Sequence, residues 1–183
     1  MEASSTNANE LECRAQYESL LERGAESVCV VFINAYANDD NERLARSVRE
    51  LASALAHVHS AGLVHRDLKP SNVRIDAEGR AVLLDFGLVI GSRQAQDAIV
   101  GTPLYMAPEQ AQQAPVGPPA DLYALGVMLF EAWSGEPPFV GSSLHLLMRK
   151  QVAPAPSLRA VDPHAPDALV DLCDRLLDRS PAL

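Results

Sequence analysis

The stretch HRDLKPSN occupies residues 65–72, and the tripeptide DFG follows at residues 85–87. GTPLYMAPE stands at residues 101–109, and DLYALG at residues 121–126 opens a strongly apolar run. One tripeptide of this kind carries almost no information, but four such segments in a fixed order and spacing are very improbable by chance. The rest of the chain is therefore interpreted around them.

The hydrophobic pattern around these segments predicts a mostly helical chain. The clearest helix precedes residue 65, because its apolar residues recur at intervals of four and three, at Leu44, Val48, Leu51, Leu55 and Val58. A second helix over about residues 119–133 is apolar nearly all round and is expected at the centre of the domain. Further helices are predicted at residues 142–150 and 166–178, joined by a Pro-rich connector.

Strand signals are short and few. Residues 73–75 and 81–84 read as a hairpin whose turn is the DAEG at residues 76–79. The run at residues 28–33 reads as a buried strand, and residues 88–105 show no period and are expected to be a long loop. A weak amphipathic pattern at residues 11–23 allows a short helix.

Composition and charge exclude several classes of function. The net charge is −9 and no cluster of Lys and Arg stands out, so we expect no nucleic-acid partner. The three cysteines are widely spaced and indicate neither a disulfide framework nor a zinc site, which favours a reduced, cytoplasmic protein. The apolar stretches are too short for a membrane span, and the first residues do not form a signal peptide.

In order and spacing, the four segments resemble the catalytic loop, metal-binding motif, substrate loop and central helix of protein kinases. Lys69, two residues after Asp67, makes the resemblance one to Ser/Thr kinases of bacterial type. The resemblance implies an α+β fold, the kinase C-terminal lobe, mostly α-helical with short β-hairpins. It assigns this lobe to residues 27–183, truncated before its last helix, after a polar segment at residues 1–26.

The resemblance also implies catalytic roles. Phosphoryl transfer needs an oriented hydroxyl and cations around the moving group. Asp67 would accept the proton of the substrate hydroxyl, Lys69 would contact the γ-phosphate, and Thr102 would steady both side chains. ATP and Mg²⁺ are the implied cofactors. Asn72 and Asp85 would hold the metal, because hard cations prefer oxygen ligands, although an Asp before Phe-Gly is more often a simple turn residue.

Other residues of the motifs are expected to be structural. His65 would pack beneath Phe86, which Gly87 follows, and Asp121 would bind backbone N–H groups near His65. Arg66 would bind a phosphorylated loop residue or a substitute carboxylate such as Asp97.

Three further polar residues receive expectations of their own. Glu109 would be half of a buried salt bridge whose arginine would follow Leu183. His57 and His59, near a helix end, are expected to bind local carbonyls.

The printed sequence contains no counterpart of the kinase upper lobe. No GxGxxG motif is present, no glycine precedes Gly24, and the first lysine is Lys69. The N-terminal lobe is therefore expected to be absent. Arg74 occupies a position at which the family usually places an apolar residue under adenine, and whether it stacks there or shifts the hairpin stays open.

These observations predict a fragment of a Ser/Thr protein kinase domain. Its activity by family is ATP-dependent phosphoryl transfer to Ser or Thr of a protein substrate, and this chain alone is expected to be inactive. The alternatives are a pseudokinase-like module that binds partners without catalysis, and a structural segment of a larger signalling protein.

Overall fold

The computed structural model describes residues 26–27, 41–76, 78–84, 90–91, 102–112 and 115–179. The weak helix at residues 11–23, the strand at residues 28–33 and the tripeptide at residues 85–87 are predictions that lie outside these ranges.

Within the described ranges the chain is mostly helical with few short strands, as its sequence predicts. The helices are α1 (Asn41–Ser60), α2 (Pro108–Ala111), α3 (Pro118–Ser134), α4 (Ser143–Val152), α5 (Leu158–Val161) and α6 (Asp167–Leu176). The strands are β1 (Glu26–Ser27), β2 (Leu63–Val64), β3 (Val73–Ile75), β4 (Ala81–Leu83) and β5 (Ile90–Gly91), and a 3-10 helix spans Pro70–Asn72. No helix in these ranges is both long enough and apolar enough to cross a membrane.

The chain divides into two compact units. The first comprises Met1–Ala56 and Pro70–Gly87, and the second comprises His57–Lys69 and Leu88–Leu183.

The first unit contains most of α1 and a small antiparallel sheet in the order β1-β3-β4. Leu51 and Leu55, from the predicted apolar stripe, are fully buried. The predicted hairpin is present as β3 and β4, with Arg74 opposite Val82. Its turn is stabilised by the Asp76 carboxylate, which accepts the backbone N–H groups of residues 78 and 80 at 3.1 and 2.8 Å.

The second unit is built around α3. The helix is buried along most of residues 120–130, as expected from its apolar residues on every side. Gly126 lets α3 approach α6 closely, because a Cβ added there would lie 2.8 Å from the Cβ of Leu176. The helix ends at Gly135, whose φ of 80° is left-handed and whose N–H donates to the carbonyl of Glu131.

Two short elements were not predicted. Residues 88–105 were expected to form a loop throughout, but β5 pairs with β2 in a two-stranded antiparallel sheet. A strand of two residues is too short to show a period of two, which explains why the pattern was missed. The Pro-rich connector contains α5, whose first turn is capped by the Ser157 hydroxyl accepting from the N–H of Arg159.

Candidate active site

The second unit brings three of the predicted catalytic side chains into one hydrogen-bonded cluster. The Asp67 carboxylate accepts the backbone N–H and the hydroxyl of Thr102 through Oδ1, both at 2.9 Å. Its Oδ2 accepts the Lys69 ammonium at 2.6 Å, and Lys69 also donates to the Thr102 hydroxyl at 3.2 Å. Asp67 is buried and the Lys69 side chain is about a quarter exposed. The carboxylate therefore has a fixed orientation next to a cation that solvent can reach.

Asp121 fixes the backbone just before this cluster. Its carboxylate accepts the N–H groups of His65 at 2.9 Å and Arg66 at 2.8 Å. Arg66 has a φ of 67°, a left-handed conformation that costs free energy for a residue other than glycine. Bonds to the buried Asp121 offset that cost, so α3 determines where the segment leading to Asp67 turns. This is the type of contact expected for Asp121 from the resemblance.

His59 binds a different partner from the one expected. Its Nε2 lies 2.8 Å from Asp121 Oδ2, 62 residues away along the chain, so the prediction that it binds a local carbonyl is wrong. The physical reason is that Asp121 is almost fully buried, and the ring at the end of α1 shares its oxygen with the backbone N–H of His65. His65 itself is fully buried.

The loop after Thr102 is tied back to the same backbone. The N–H groups of Tyr105 and Met106 both donate to the Thr102 carbonyl, at 2.9 and 3.1 Å. Gln110, a buried residue of α2, accepts the N–H of Ala107 and donates to the carbonyl of Arg66, both at 2.9 Å. One glutamine side chain therefore connects the end of this loop to the residue before Asp67.

Asn72 belongs to the first unit and is described there alone. It ends the 3-10 helix, it is buried, and its carbonyl accepts the N–H of Leu84 at 2.8 Å. Its side-chain oxygen accepts the Ser71 hydroxyl at 3.3 Å. An amide oxygen on a rigid turn is a suitable ligand for Mg²⁺. The second predicted ligand, Asp85, lies outside the described residues together with Phe86 and Gly87. The metal site therefore stays a prediction.

Two other predicted residues are described without the partners that the resemblance implies. No described residue offers a hydrogen bond to the buried Nε of Arg66, which is 9% exposed. Glu109 is half-buried, and no ion pair joins it to any residue in the described ranges. Burial raises the pKa of Glu109 above its usual 4.5. The phosphate-reading role of Arg66 and the salt bridge of Glu109 stay predictions.

Described residues include no group of three or more His, Cys, Asp or Glu side chains that could hold a metal ion. The chemistry that the described cluster can perform is therefore that of an oriented carboxylate with an adjacent ammonium. Such a pair can align a hydroxyl and balance negative charge on the group that it attacks.

Comparison with known proteins identifies the class to which this cluster belongs. A family model described as the protein kinase domain matches residues 27–183. The chain therefore belongs to the protein kinase family, and its relatives are Ser/Thr kinases. By family its enzyme class is that of a transferase.

Among the relatives, the DNA damage-responsive serine/threonine-protein kinase RqkA of Deinococcus radiodurans is 45% identical over 138 residues, 70% of this chain and 21% of that protein. The serine/threonine-protein kinase PAK mbt of Drosophila melanogaster is 35% identical over 154 residues, 82% of this chain and 24% of that protein. PknL of Mycobacterium tuberculosis is 36% identical over 140 residues, 74% of this chain and 35% of that protein. The chain thus spans about a fifth to a third of the length of these relatives.

Sequence reasoning missed two buried polar residues that contact the loop after Thr102. Gln110 follows directly on the GTPLYMAPE segment but carries no motif of its own. Lys150 lies on α4 and donates to carbonyls of that loop. Backbone carbonyls have no sequence signature, so neither contact could be found from residue types and spacing alone.

Proposed function

We propose that residues 27–183 form the C-terminal lobe of a Ser/Thr protein kinase domain. Within a complete domain they would direct phosphoryl transfer from ATP to Ser or Thr of a protein substrate. The observation that carries the proposal is the Asp67 carboxylate, which Thr102 and Lys69 hold with three hydrogen bonds in the described structure.

Asp67 is proposed as the positional base. Two hydrogen bonds from Thr102 to Oδ1 fix the plane of the carboxylate before any substrate arrives. Pre-orientation of this kind lowers the entropic part of the barrier, which is a large share of catalysis in phosphoryl transfer. Asp67 then receives the proton of the substrate hydroxyl and aims its oxygen.

Lys69 is proposed as the cation at the transferred group. Its ammonium already contacts Asp67 and Thr102, so it lies beside the oxygen that would hold the attacking hydroxyl. Because its side chain is partly exposed, it can reach a phosphate without leaving the cluster. Its charge would offset the negative charge that develops during transfer.

Bound ATP with Mg²⁺ would supply the phosphoryl group and the metal charge that compensates it. Asn72 and Asp85 are the residues that would hold the metal, and Lys69, Asn72 and Asp85 together would contact the nucleotide. The buried amide of Asn72 fits this role by its chemistry and its rigid turn.

The 183-residue chain alone is proposed to be inactive. Its sequence contains no glycine-rich phosphate loop and no lysine before Lys69. Those groups supply much of the grip on ATP phosphates in this family. A cytoplasmic location is proposed from the three widely spaced cysteines only.

A non-catalytic interaction module is the second candidate. One face of α4 exposes Leu144, Met148 and Val152, at 70, 61 and 78% of their full accessible surface. Their spacing of four places them on one stripe, and exposed apolar stripes commonly mark protein contacts. This surface favours a pseudokinase-like module that binds a partner.

Joining a relative's upper lobe before residue 34, and an arginine-bearing helix after Leu183, would separate the two candidates. The chimera should transfer phosphate from ATP to a Ser/Thr substrate. Asp67→Asn should lower turnover at least ~100-fold with little change in ATP affinity. Asp85→Asn should weaken both, whereas Asp171→Asn, an exposed change on α6, should alter neither.

The Arg74 position provides the remaining control of that experiment. If Arg74 obstructs the nucleotide, Arg74→Leu should tighten ATP binding by the chimera. A chimera that folds but binds no ATP, with or without Arg74→Leu, would contradict the catalytic proposal and support the interaction module.

A further inference from the structure

Lysine is rare in this chain, and both lysines contact the same loop. The sequence contains two lysines and thirteen arginines. Lys69 donates to Thr102, and Lys150 donates to the carbonyls of Pro103, Leu104 and Met106. We refer to Pro103–Met106 as the 103–106 loop.

The geometry around Lys150 fits an ammonium group and no other donor. The three N–O distances are 3.0, 2.6 and 2.8 Å. An ammonium carries three N–H donors, whereas a neutral amine carries two, so satisfying all three carbonyls requires the charged form. A planar guanidinium directs its donors in one plane and cannot reproduce this tripod. This explains why lysine stands here in an arginine-rich chain.

The Lys150 side chain is almost fully removed from water, with 1% of its surface exposed. Burial lowers the pKa of Lys150 from its usual 10.5 to about 7, since the interior disfavours charge. The tripod of carbonyls opposes that effect. Deprotonation close to neutral pH would remove one of the three hydrogen bonds and loosen the 103–106 loop.

Several other polar and charged groups surround Lys150. The Tyr123 ring of α3 faces its ammonium at 5.4 Å. After burial, the charge of Glu109 is the second cause that raises the Tyr123 pKa, so this carboxyl is the nearest described source of negative potential on α2. Within the 103–106 loop, the Tyr105 phenol donates to Glu131 of α3 at 2.8 Å. On α4 itself, the Arg149 guanidinium lies over a phenylalanine ring.

The 103–106 loop begins at the reactive cluster. Thr102 is bonded to Asp67 and Lys69, so the first residue after it starts within reach of the base. A polypeptide whose hydroxyl is aligned on Asp67 must pass its neighbouring residues over this loop. The loop is fixed at its start by Thr102, at its end by Gln110 and between them by Lys150.

We propose that Lys150 is a positioning residue that holds the 103–106 loop in the shape that receives the substrate polypeptide beside its phosphorylated Ser or Thr. The proposal rests on the proposed kinase function for its substrate, but the grip of Lys150 on the loop can be measured without ATP. Lys150 does not touch the reacting atoms, and it acts through the three carbonyls.

The first test uses the wild-type chain labelled with ¹³C and ¹⁵N in lysine only, which gives two side-chain signals. Lys150→Met identifies the signal of Lys150 by its loss. Across a pH titration, the Lys150 signal should change well below the usual lysine pKa. The Lys69 signal should move at the same midpoint, because Lys69 shares Thr102 with the loop. A purely structural lysine would leave the Lys69 signal unmoved.

The second test measures the loop and its ligand in three variants. In Lys150→Met, hydrogen-exchange protection of the Tyr105 and Met106 amides should fall at least ~10-fold, while that of the α3 amides at residues 127–130 stays constant. Lys150→Arg should restore protection only in part. Binding of short peptides with a central serine and randomised flanks, read from loop amide shifts, should weaken at least ~10-fold in Lys150→Met. Arg149→Met, on the adjacent residue, is the matched control.

The outcomes separate the two proposals. An ordinary Lys150 pKa with unchanged loop protection in Lys150→Met would overturn the role of Lys150, whatever the peptides do. Peptide binding that is equal in wild type and Lys150→Met would overturn it as well. A wild-type chain that shows the lysine effects but binds no peptide would contradict the proposed protein substrate, and with it the substrate part of this inference.

Discussion

Two buried charges of opposite sign hold two neighbouring backbone segments in the second unit. Asp121 on α3 accepts the N–H groups of His65 and Arg66, just before the base. Lys150 on α4 donates to three carbonyls of the 103–106 loop, just after Thr102. In both regions a charged side chain from a helix organises a segment that has no regular hydrogen bonding of its own.

The two regions differ in how the buried charge is compensated. Asp121 shares one oxygen with the ring of His59, a group that can carry the opposite charge. Among the described residues, no carboxylate lies within salt-bridge distance of Lys150, and backbone dipoles alone balance it. A charge balanced only by dipoles is more easily neutralised, which is why burial lowers the Lys150 pKa to about 7. The segment before the base is thus held by a charge with a potential counter-ion, and the 103–106 loop by one that titrates near neutral pH.

The largest effect is expected when the Asp121 side of the comparison is broken. Asp121→Ala leaves two buried N–H groups and His59 without their acceptor, so the free energy of unfolding should fall by about 3–5 kcal/mol. Urea unfolding followed by Trp133 fluorescence measures it. Asp171→Ala, exposed on α6, is the matched control and should change little. A loss below ~1 kcal/mol would mean that Asp121 is not what holds this backbone.

A smaller effect is expected at the residue that connects the two regions. Gln110→Ala removes its bonds to the Arg66 carbonyl and the Ala107 N–H, and should lower the free energy of unfolding by about 1–3 kcal/mol. Gln110→Glu keeps the acceptor but places a carboxylate against the Arg66 carbonyl, so it should cost at least as much. Gln112→Ala, exposed one half-turn away, is the control in the same unfolding assay. Equal stability of Gln110→Ala and Gln112→Ala would show that the two segments are held independently.

The pH dependence of stability separates Lys150 from Lys69. Because the folded pKa of Lys150 lies below its usual 10.5, the unfolded chain binds more protons between about pH 7 and that value. Its contribution to the free energy of unfolding therefore rises with pH in this window, by up to about 1.4 kcal/mol per pH unit, and is lost as the pH falls to about 7. Lys150→Met should flatten this slope, and Lys69→Met should leave it. An unchanged slope in Lys150→Met would contradict a buried, titrating ammonium.

The sequence predicts the Asp121 side of this comparison better than the Lys150 side. The order of the four segments brings Asp67, Lys69 and Thr102 together in expectation, and the described structure has them in one cluster. The apolar residues of α3 likewise predict a central helix, since a helix without a polar face has to be buried. Long elements and motifs leave patterns in residue type that spacing alone reveals.

The missed contacts share a physical cause. Lys150 is preceded by Arg149 on a helix with polar residues, and such a lysine ordinarily extends into water. Its partners are carbonyls, which every residue carries, so no residue type marks them. The His59 bond to Asp121 spans 62 residues and depends on how the end of α1 meets α3. Tertiary contacts of this kind follow from packing and not from local pattern.

The smallest effect is expected at Glu109, and it tests how complete the charge balance near Lys150 is. Burial raises the pKa of Glu109, so the folded chain binds more protons than the unfolded chain between pH 4.5 and the raised value. The contribution of this group to the free energy of unfolding therefore falls as the pH rises through that window. Glu109→Gln removes the cost of the buried charge, and it should be slightly more stable than wild type at pH 7 but equal to it near pH 4. Glu136→Gln, an exposed change, should match wild type at both pH values. If Glu109→Gln is instead less stable at pH 7, a cation outside the described residues pairs with Glu109. In that case the carboxyl contributes less negative potential at Tyr123, and the dipoles of the 103–106 loop alone support the charge of Lys150.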